Sequence, residues 1–245
     1  MSDTREMSMA GNSRMFASRT PGRRAREEKR RVLDRVRETP HESRKFYHFI
    51  MGAMCFTLYG LVLSEKAAMW LLAGVGGLFI AIDLLRLRWS WLQTTMLRLV
   101  GNLMRREELH GLTANSWYVL GMLGSGLLFP KAYALCGLAF LAVGDPVAAI
   151  VGTRWGRVPL RSGKSIEGSV ANFVVSAIAA FAISRFLLQM PPADALLVAV
   201  LGGATSAVAE AAPWPVNDNL AIPITSAALL WLVLNIVGVP LPVAP

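Results

Sequence analysis

Seven long apolar segments follow residue 45, and they constrain the fold more than any other feature of the sequence. They cover approximately residues 46–63, 67–85, 114–130, 131–151, 168–188, 193–213 and 220–238. A helix needs about 20 apolar residues to cross the hydrocarbon core of a bilayer, which is roughly the length of these segments. Because helical segments satisfy their own backbone hydrogen bonds in lipid, the sequence predicts an all-α polytopic membrane bundle of about seven transmembrane helices.

Between the second and third apolar segments, Arg88 to Glu108 has a different pattern. Its apolar residues, such as Trp91 and Leu99, recur at helical spacing beside Arg98, Arg105 and Arg106. An apolar stripe next to basic residues is typical of a helix that lies in the membrane interface. We therefore expect one interfacial amphipathic helix in addition to the spanning helices.

The distribution of Lys and Arg predicts the orientation of the bundle. Thirteen basic residues precede the first span, five lie in the 86–106 connection and four lie in the 152–167 loop. The other side of the membrane has only three, Lys66, Lys131 and Arg185. The positive-inside rule then places the N-terminus in the cytoplasm and the C-terminus on the opposite side.

Composition agrees with this organisation. The chain of 245 residues is 54% hydrophobic and 17% charged, with a mean hydropathy of +0.45, which argues against an ordinary soluble domain. We expect a basic, disordered cytoplasmic tail over residues 1–41, without an evident cleaved signal, and a membrane-embedded domain over 42–245. The net charge of +9 points to a membrane surface or an anionic ligand; no nucleic-acid partner is expected, and the oligomeric state is left open.

Five ionisable residues lie within or beside the apolar segments, on the side predicted to be cytoplasmic: His48, Asp83, Asp145, Glu210 and Asp218. Ionisable groups in spans are costly and usually functional. Asp145 stands in Gly144-Asp145-Pro146, where the proline predicts a break in the helix. A carboxylate at such a break is a natural Mg²⁺ ligand, and Asp218 is the second candidate.

The loop after the fourth span combines glycines with basic side chains. Glycines allow close approach to an anion, and the start of the next helix adds backbone donors. The pattern predicts a polyphosphate cradle in which three glycines bracket four basic residues: Gly152, Gly156 and Gly163 with Arg154, Arg157, Arg161 and Lys164. Ser165, Glu167, Gly168 and Ser169 then lead into the next span. It is not a P-loop, because the glycine spacing differs and no strand precedes it.

The order of these residues resembles the CTP-binding signature of the dolichol kinase, CTP-dependent diacylglycerol kinase and phytol kinase family. The central match comprises Asp145, Ala148, Gly152, Gly156, Lys164-Ser165, Glu167-Gly168, Ala171 and Phe173. Flanking matches are Glu42, Arg44-Lys45 and His48 before the first span, and Glu210, Asp218-Asn219 and Pro223 near the last. The resemblance implies a membrane kinase that transfers the γ-phosphoryl group of CTP, in preference to ATP, to a polyprenol or dolichol, phytol or diacylglycerol hydroxyl.

The implied roles follow phosphoryl-transfer chemistry, which needs positioning and charge neutralisation. Asp145 and Asp218 would hold Mg²⁺. Lys164, with Arg154 or Arg157, would contact the phosphates, and Ser165 and Ser169 would donate hydrogen bonds to them. Asp83 and His48 are the candidates for the base, and Glu167 is expected to orient Lys164.

Two alternatives remain at this point. Phosphatidate cytidylyltransferases share a version of the central motif, but their C-terminal basic signature has no counterpart here, because no Lys or Arg follows Arg185. An ion-coupled transporter would use Asp145 and Glu210 as a relay. It would leave the glycine-rich basic loop unexplained.

Overall fold

The computed structural model describes residues 41–101, 104 and 107–244, without the side chains of 41–45 and 48. The predicted tail, up to residue 40, and the His48 side chain lie outside the described residues. The same holds for Arg105 and Arg106 of the predicted amphipathic segment.

The part of the chain that is described is helical. It contains the α-helices α1 (His41–Thr57), α2 (Glu65–Arg88), α3 (Ser90–Val100), α4 (Ala114–Leu128), α5 (Lys131–Ala139), α6 (Asp145–Trp155), α7 (Ile166–Ala182), α8 (Pro192–Ala211) and α9 (Asp218–Ile236). Three π-helical turns, Leu58–Val62, Phe140–Gly144 and Ile183–Leu187, extend α1, join α5 to α6 and extend α7. The predicted all-α class is confirmed.

Each of the seven predicted apolar segments falls on a helix. Five helical segments are long and apolar enough to cross a bilayer: Glu65–Arg88, Lys131–Trp155, Ile166–Leu187, Pro192–Ala211 and Asp218–Ile236. The first segment contributes a shorter apolar helix, Phe49–Val62. The third contributes the 15 residues of α4, or about 22 Å at 1.5 Å per residue. The chain is thus a multi-pass membrane protein with five full-length spans and two shorter apolar helices in the described ranges.

The predicted interfacial helix is shorter than the sequence pattern suggested. Helix α3 covers 11 residues and buries none of them, and a 3-10 turn at Glu107–Leu109 follows later. Trp91 and Leu99 of α3 are 64% and 72% exposed. A surface helix with exposed apolar side chains fits a position in the membrane interface.

The span formed by α5 and α6 is the centre of the bundle. In its most apolar 18-residue stretch 67% is buried, whereas the corresponding share for α2 is 17%. Leu135, Cys136 and Phe140 are fully enclosed. At Gly137 a Cβ atom would collide with the backbone carbonyl of Pro223 in α9. Close helix approach at a small residue is a common way of packing helices in membranes, and it holds the helix that carries Asp145 in the middle of the fold.

The predicted helix break at Asp145 and Pro146 is wrong. The π-helical turn Phe140–Gly144 runs directly into α6, and Gly144 and Asp145 both have right-handed helical backbone angles. A proline cannot donate the backbone hydrogen bond of an ordinary helical turn. The wider π turn before Pro146 accommodates this missing donor, and single π turns of this kind are frequent at functional sites.

Candidate functional site

A pocket of about 530 Å³ lies where the ends of four helices meet. Helix α6, the loop after it, the start of α7, the end of α8 and the start of α9 form the wall. Eight of the predicted site residues lie in it: Asp145, Gly152, Gly156, Arg157, Lys164, Ser165, Gly168 and Asp218. The fold thus brings the basic loop and both predicted metal ligands into one cavity.

Lys164 is the electrostatic centre of this pocket. Its Nζ lies 3.1 Å from Oδ2 of Asp218 and 3.4 Å from Oε1 of Glu210, and it donates to the backbone carbonyl of Glu210. Burial by itself lowers the pKa of Lys164. The negative charges of Asp218, Glu210 and Asp145 outweigh that effect, so its pKa lies above the ordinary value. Lys164 therefore stays protonated at neutral pH.

Glu210 was singled out in the sequence among the ionisable residues near span ends, but no metal or phosphate role was predicted for it. It is 4% exposed, and Ser169 Oγ donates to its Oε2 at 3.0 Å. Ser169 thus forms a hydrogen bond with Glu210 and does not line the pocket. The sequence had predicted a direct phosphate contact for it. Thr153, Asn217 and Asn219 also line the pocket without having been predicted. An acid near the end of an apolar span was the available signal for Glu210.

The loop between α6 and α7 has a defined backbone that presents Lys164. The amide of Leu160 donates to the Lys164 carbonyl at 2.8 Å, and the amide of Gly163 donates to the Leu160 carbonyl at 3.0 Å. Gly163 has a φ of +81°, in the left-handed region that glycine adopts at little cost. A glycine at this position therefore closes the turn directly before the lysine.

The other loop glycines serve close packing between α6 and α7. Ser165 caps α7, its Oγ accepting from the Gly168 amide at 3.1 Å. A Cβ at Gly152 would lie 2.9 Å from that Oγ, and one at Gly168 would lie 2.8 Å from the Ala148 carbonyl oxygen. The packing of two helix ends thus requires these glycines, independently of any phosphate contact.

Arg154 and Glu167 are placed outside the pocket wall. Arg154 is exposed in the last turn of α6, whereas Arg157 lines the pocket. Oε2 of Glu167 accepts from the Val158 amide at 3.3 Å. Glu167 thus holds the loop backbone, and the ion pairs of Lys164 are with Glu210 and Asp218.

Asp83 lies at a separate position, in a buried network. Its Oδ1 accepts from Arg86 Nε at 2.6 Å, and its Oδ2 accepts from Ser116 Oγ at 2.6 Å and from the amide and hydroxyl of Thr113. The Arg86 Nη2 donates to the carbonyls of Glu108 and Gly111. The structure does not bring Asp83 to the pocket that contains Lys164, so its position gives no support to a role as base there.

The comparison with known proteins bears directly on this site. The chain is 29% identical to CTP-dependent diacylglycerol kinase 1 of Saccharomyces cerevisiae over 214 residues, covering 78% of this chain and 73% of the yeast protein. It is 28% identical to the Schizosaccharomyces pombe protein of the same name, over 62% of this chain and 74% of that protein. The similarity to phytol kinase of Synechocystis is 30% over 49% of each chain.

The chain is therefore similar to named lipid kinases over as much as 78% of its length. The family predicted from the sequence motifs is thereby confirmed. No protein-family model matches the chain, and no solved structure does. The pocket around Lys164 contains most of the residues on which the resemblance to these lipid kinases rests.

The donor set of the pocket fits a cation that is held partly by phosphate. In the described residues no group of three or more His, Cys, Asp or Glu could hold a metal ion. Asp145 and Asp218 line the same cavity, and Mg²⁺ in nucleotide sites is typically bound by one or two carboxylates together with phosphate oxygens. Two carboxylates thus suit Mg²⁺ that arrives with a nucleotide better than a permanent metal site.

Proposed function

We propose that this protein is a membrane-embedded kinase that transfers the γ-phosphoryl group of CTP to the hydroxyl of a lipid alcohol, with diacylglycerol as the first candidate. One observation carries the proposal: Lys164 lies between Asp218 and Glu210 in a pocket that Asp145 and Arg157 also line. Diacylglycerol is preferred over phytol because the relatives named diacylglycerol kinase match over more of the chain.

The charge of the pocket supports a metal nucleotide as substrate. Its wall has three carboxylates, Asp145, Glu210 and Asp218, and two cations, Arg157 and Lys164. A nucleoside triphosphate brings about four further negative charges, and two unit charges 4 Å apart interact by roughly 4 kcal/mol at an effective dielectric of 20. Asp145 and Asp218 would hold Mg²⁺, which supplies neutralisation of the phosphate charge when bound.

Each pocket residue then has a defined task. Lys164 exchanges its ion pair with Asp218 for one with the phosphate that is transferred, while Glu210 keeps the side chain in place. Arg157 contacts the remaining phosphates. The Ser165 Oγ accepts from the Gly168 amide and still has its own proton to donate to a phosphate oxygen.

The transfer joins the lipid oxygen to the γ-phosphorus and breaks the bond from that phosphorus to the β-phosphate oxygen, which releases CDP. A base takes the hydroxyl proton. His48 is retained as the candidate because of its position along α1. It lies one helical turn before Gly52, and α1 approaches the π-helical turn so closely there that a Cβ at Gly52 would collide with Ala142. Helix α1 also packs against α6, which begins with Asp145.

The pocket faces the cytoplasm in this proposal, with the C-terminus on the other side. The segments that build it, residues 145–168 and 210–219, are span ends and connections on the side that the Lys and Arg distribution assigns to the cytoplasm. A soluble nucleotide substrate is available there. In a bacterium this corresponds to the inner or plasma membrane.

The test is an assay of purified protein in mixed micelles with CTP labelled at the γ-phosphate, and with diacylglycerol, phytol and a polyprenol in parallel. We expect labelled lipid phosphate and CDP, and a loss of transfer in Lys164→Met. Arg161→Met is the matched control, since Arg161 is an exposed cation of the same loop outside the pocket wall. Label from the α-phosphate of CTP in the lipid, with pyrophosphate release, would instead establish cytidylyl transfer. Ion flux into proteoliposomes without nucleotide turnover would establish a transporter.

A further inference from the structure

A second cavity, of about 230 Å³, lies beneath helix α3 and between it and α1, α2 and α4. Its wall is mostly hydrophobic and includes Phe79, Ile82, Met96, Val100 and Met104. The volume is below that of most small-molecule sites, which is about 300–1,000 Å³. It suits one end of a long molecule whose remainder stays in the bilayer.

The buried Asp83 and Arg86 network fixes the wall of this cavity. Arg86 and Asp83 are 0% and 1% exposed. Arg86 holds the carbonyls of Glu108 and Gly111, and Asp83 holds the amide of Thr113, at the start of α4. Because the oxygens of Asp83 already accept four hydrogen bonds, the network positions residues 108–113 beside the cavity.

The cavity continues toward Tyr118 in α4. A narrow volume of about 10 Å³ shares Tyr47, Phe79 and Asn115 with it and reaches Tyr118. The Tyr118 hydroxyl would lie 2.8 Å from a Cβ at Gly52. The same Cβ would collide with Ala142, in the π-helical turn that runs into Asp145. Ten cubic ångströms hold about one water-sized group, so a hydroxyl fits and an acyl chain does not.

A hydrogen bond links the wall of this cavity to the wall of the pocket that contains Lys164. Asn219, in the wall of the nucleotide pocket, donates from Nδ2 to the carbonyl of Ala114 at 3.0 Å. Ala114 lies in the wall of the cavity beneath α3. The starts of α4 and α9 therefore lie between the two cavities.

We propose that the cavity beneath α3 is the acceptor site, which takes a membrane lipid alcohol with its hydroxyl directed through the narrow volume toward Tyr118 and Asp145. This inference rests on the proposed function. The exposed apolar residues of α3, Trp91 and Leu99, lie outside the wall of this cavity and face the bilayer. The narrow volume selects a terminal hydroxyl and excludes a bulky head group.

The test is photo-crosslinking with a diacylglycerol that carries a diazirine near its hydroxyl end, in the absence of nucleotide, followed by mapping of the labelled peptides. We expect label on residues of this cavity, and none there from a phosphatidylcholine with the same chains and diazirine. Val100→Trp fills the cavity and should reduce the label by about tenfold, which corresponds to about 1.4 kcal/mol. Leu99→Trp, on the exposed side of the same helix, is the matched control and should keep the label.

Met96→Trp is the second filling variant, in case Val100→Trp does not fold. Both variants should raise the KM for diacylglycerol and leave CTP binding unchanged. Unchanged labelling in a folded filling variant, or label only on the outer faces of the helices, would overturn the acceptor site. The crosslinking result does not depend on turnover. A protein that transfers no phosphate from CTP therefore refutes the proposed kinase and leaves the lipid site to be judged by its label.

Discussion

Replacing Lys164 by Met removes the positive charge on which the pocket depends. Lys164 lies 3.1 Å from Asp218 and 3.4 Å from Glu210. Asp218 is 41% exposed, so that interaction is largely screened. Glu210 is 5% exposed, and a buried charge that loses its partner costs about 3–5 kcal/mol. We therefore expect Lys164→Met to lower both the stability and the activity.

The two effects can be separated by a double variant. Lys164→Met with Glu210→Gln removes the buried charge as well as its partner, so most of the lost stability should return. The activity should not return, because the group that neutralises the transferred phosphate is still missing. From the effect of removing one preorganised donor in other enzymes, we expect a loss in kcat of about 10²–10³-fold.

The assay combines the Tm of each variant with initial rates of transfer from γ-labelled CTP at saturating lipid. Arg161→Met serves as the control for loss of a loop cation. Two results would refute the reasoning: a Lys164→Met protein with the activity of the original chain, or a double variant that regains activity along with stability. The second result would mean that Lys164 only balances Glu210.

Three further predictions concern neighbouring positions. Asp145→Asn should lower kcat by at least about 100-fold and weaken binding of CTP in the presence of Mg²⁺. The measurement is the rate of transfer as a function of Mg²⁺ concentration, and an unchanged dependence would remove Asp145 from the metal site. Gly168→Ala should cost about 1–3 kcal/mol of stability, because its Cβ would lie 2.8 Å from the Ala148 carbonyl oxygen; an unchanged Tm would contradict this packing. Asp83→Asn should destabilise by about 3–5 kcal/mol with an unchanged KM for CTP, and a specific loss of kcat in a stable protein would restore Asp83 as a candidate base.

The apolar segments and most of the loop residues could be predicted from the sequence because both depend on local properties. Hydropathy over about 20 residues decides whether a segment can cross a bilayer, and all five full-length spans overlap predicted segments. The basic glycine-rich loop is contiguous, so its residues stay together in any fold. That is why Arg157, Lys164 and Ser165 lie in one pocket wall.

Local patterns were misleading where the backbone had another solution. Pro146 suggested a break in the helix, but a π-helical turn accommodates it without one. The glycines at 152 and 168 do line the pocket, but the sequence pattern did not show that an added Cβ at these positions would meet Ser165 and Ala148. In both cases the deciding factor is a neighbouring turn or helix that a local pattern does not contain.

The sequence by itself determined that this is a helical membrane protein, with a basic loop and a motif that resembles that of lipid kinases. Tertiary structure decided the partners of the charges. Lys164 donates to the Glu210 carbonyl, 46 residues away in sequence. Asp83 instead accepts hydrogen bonds from Arg86 and from the amide of Thr113 before α4. Hydropathy acts along a segment, but an ion pair forms only between atoms a few ångströms apart. The packing of α6, α7, α8 and α9 therefore selects which acids share a pocket with the lysine.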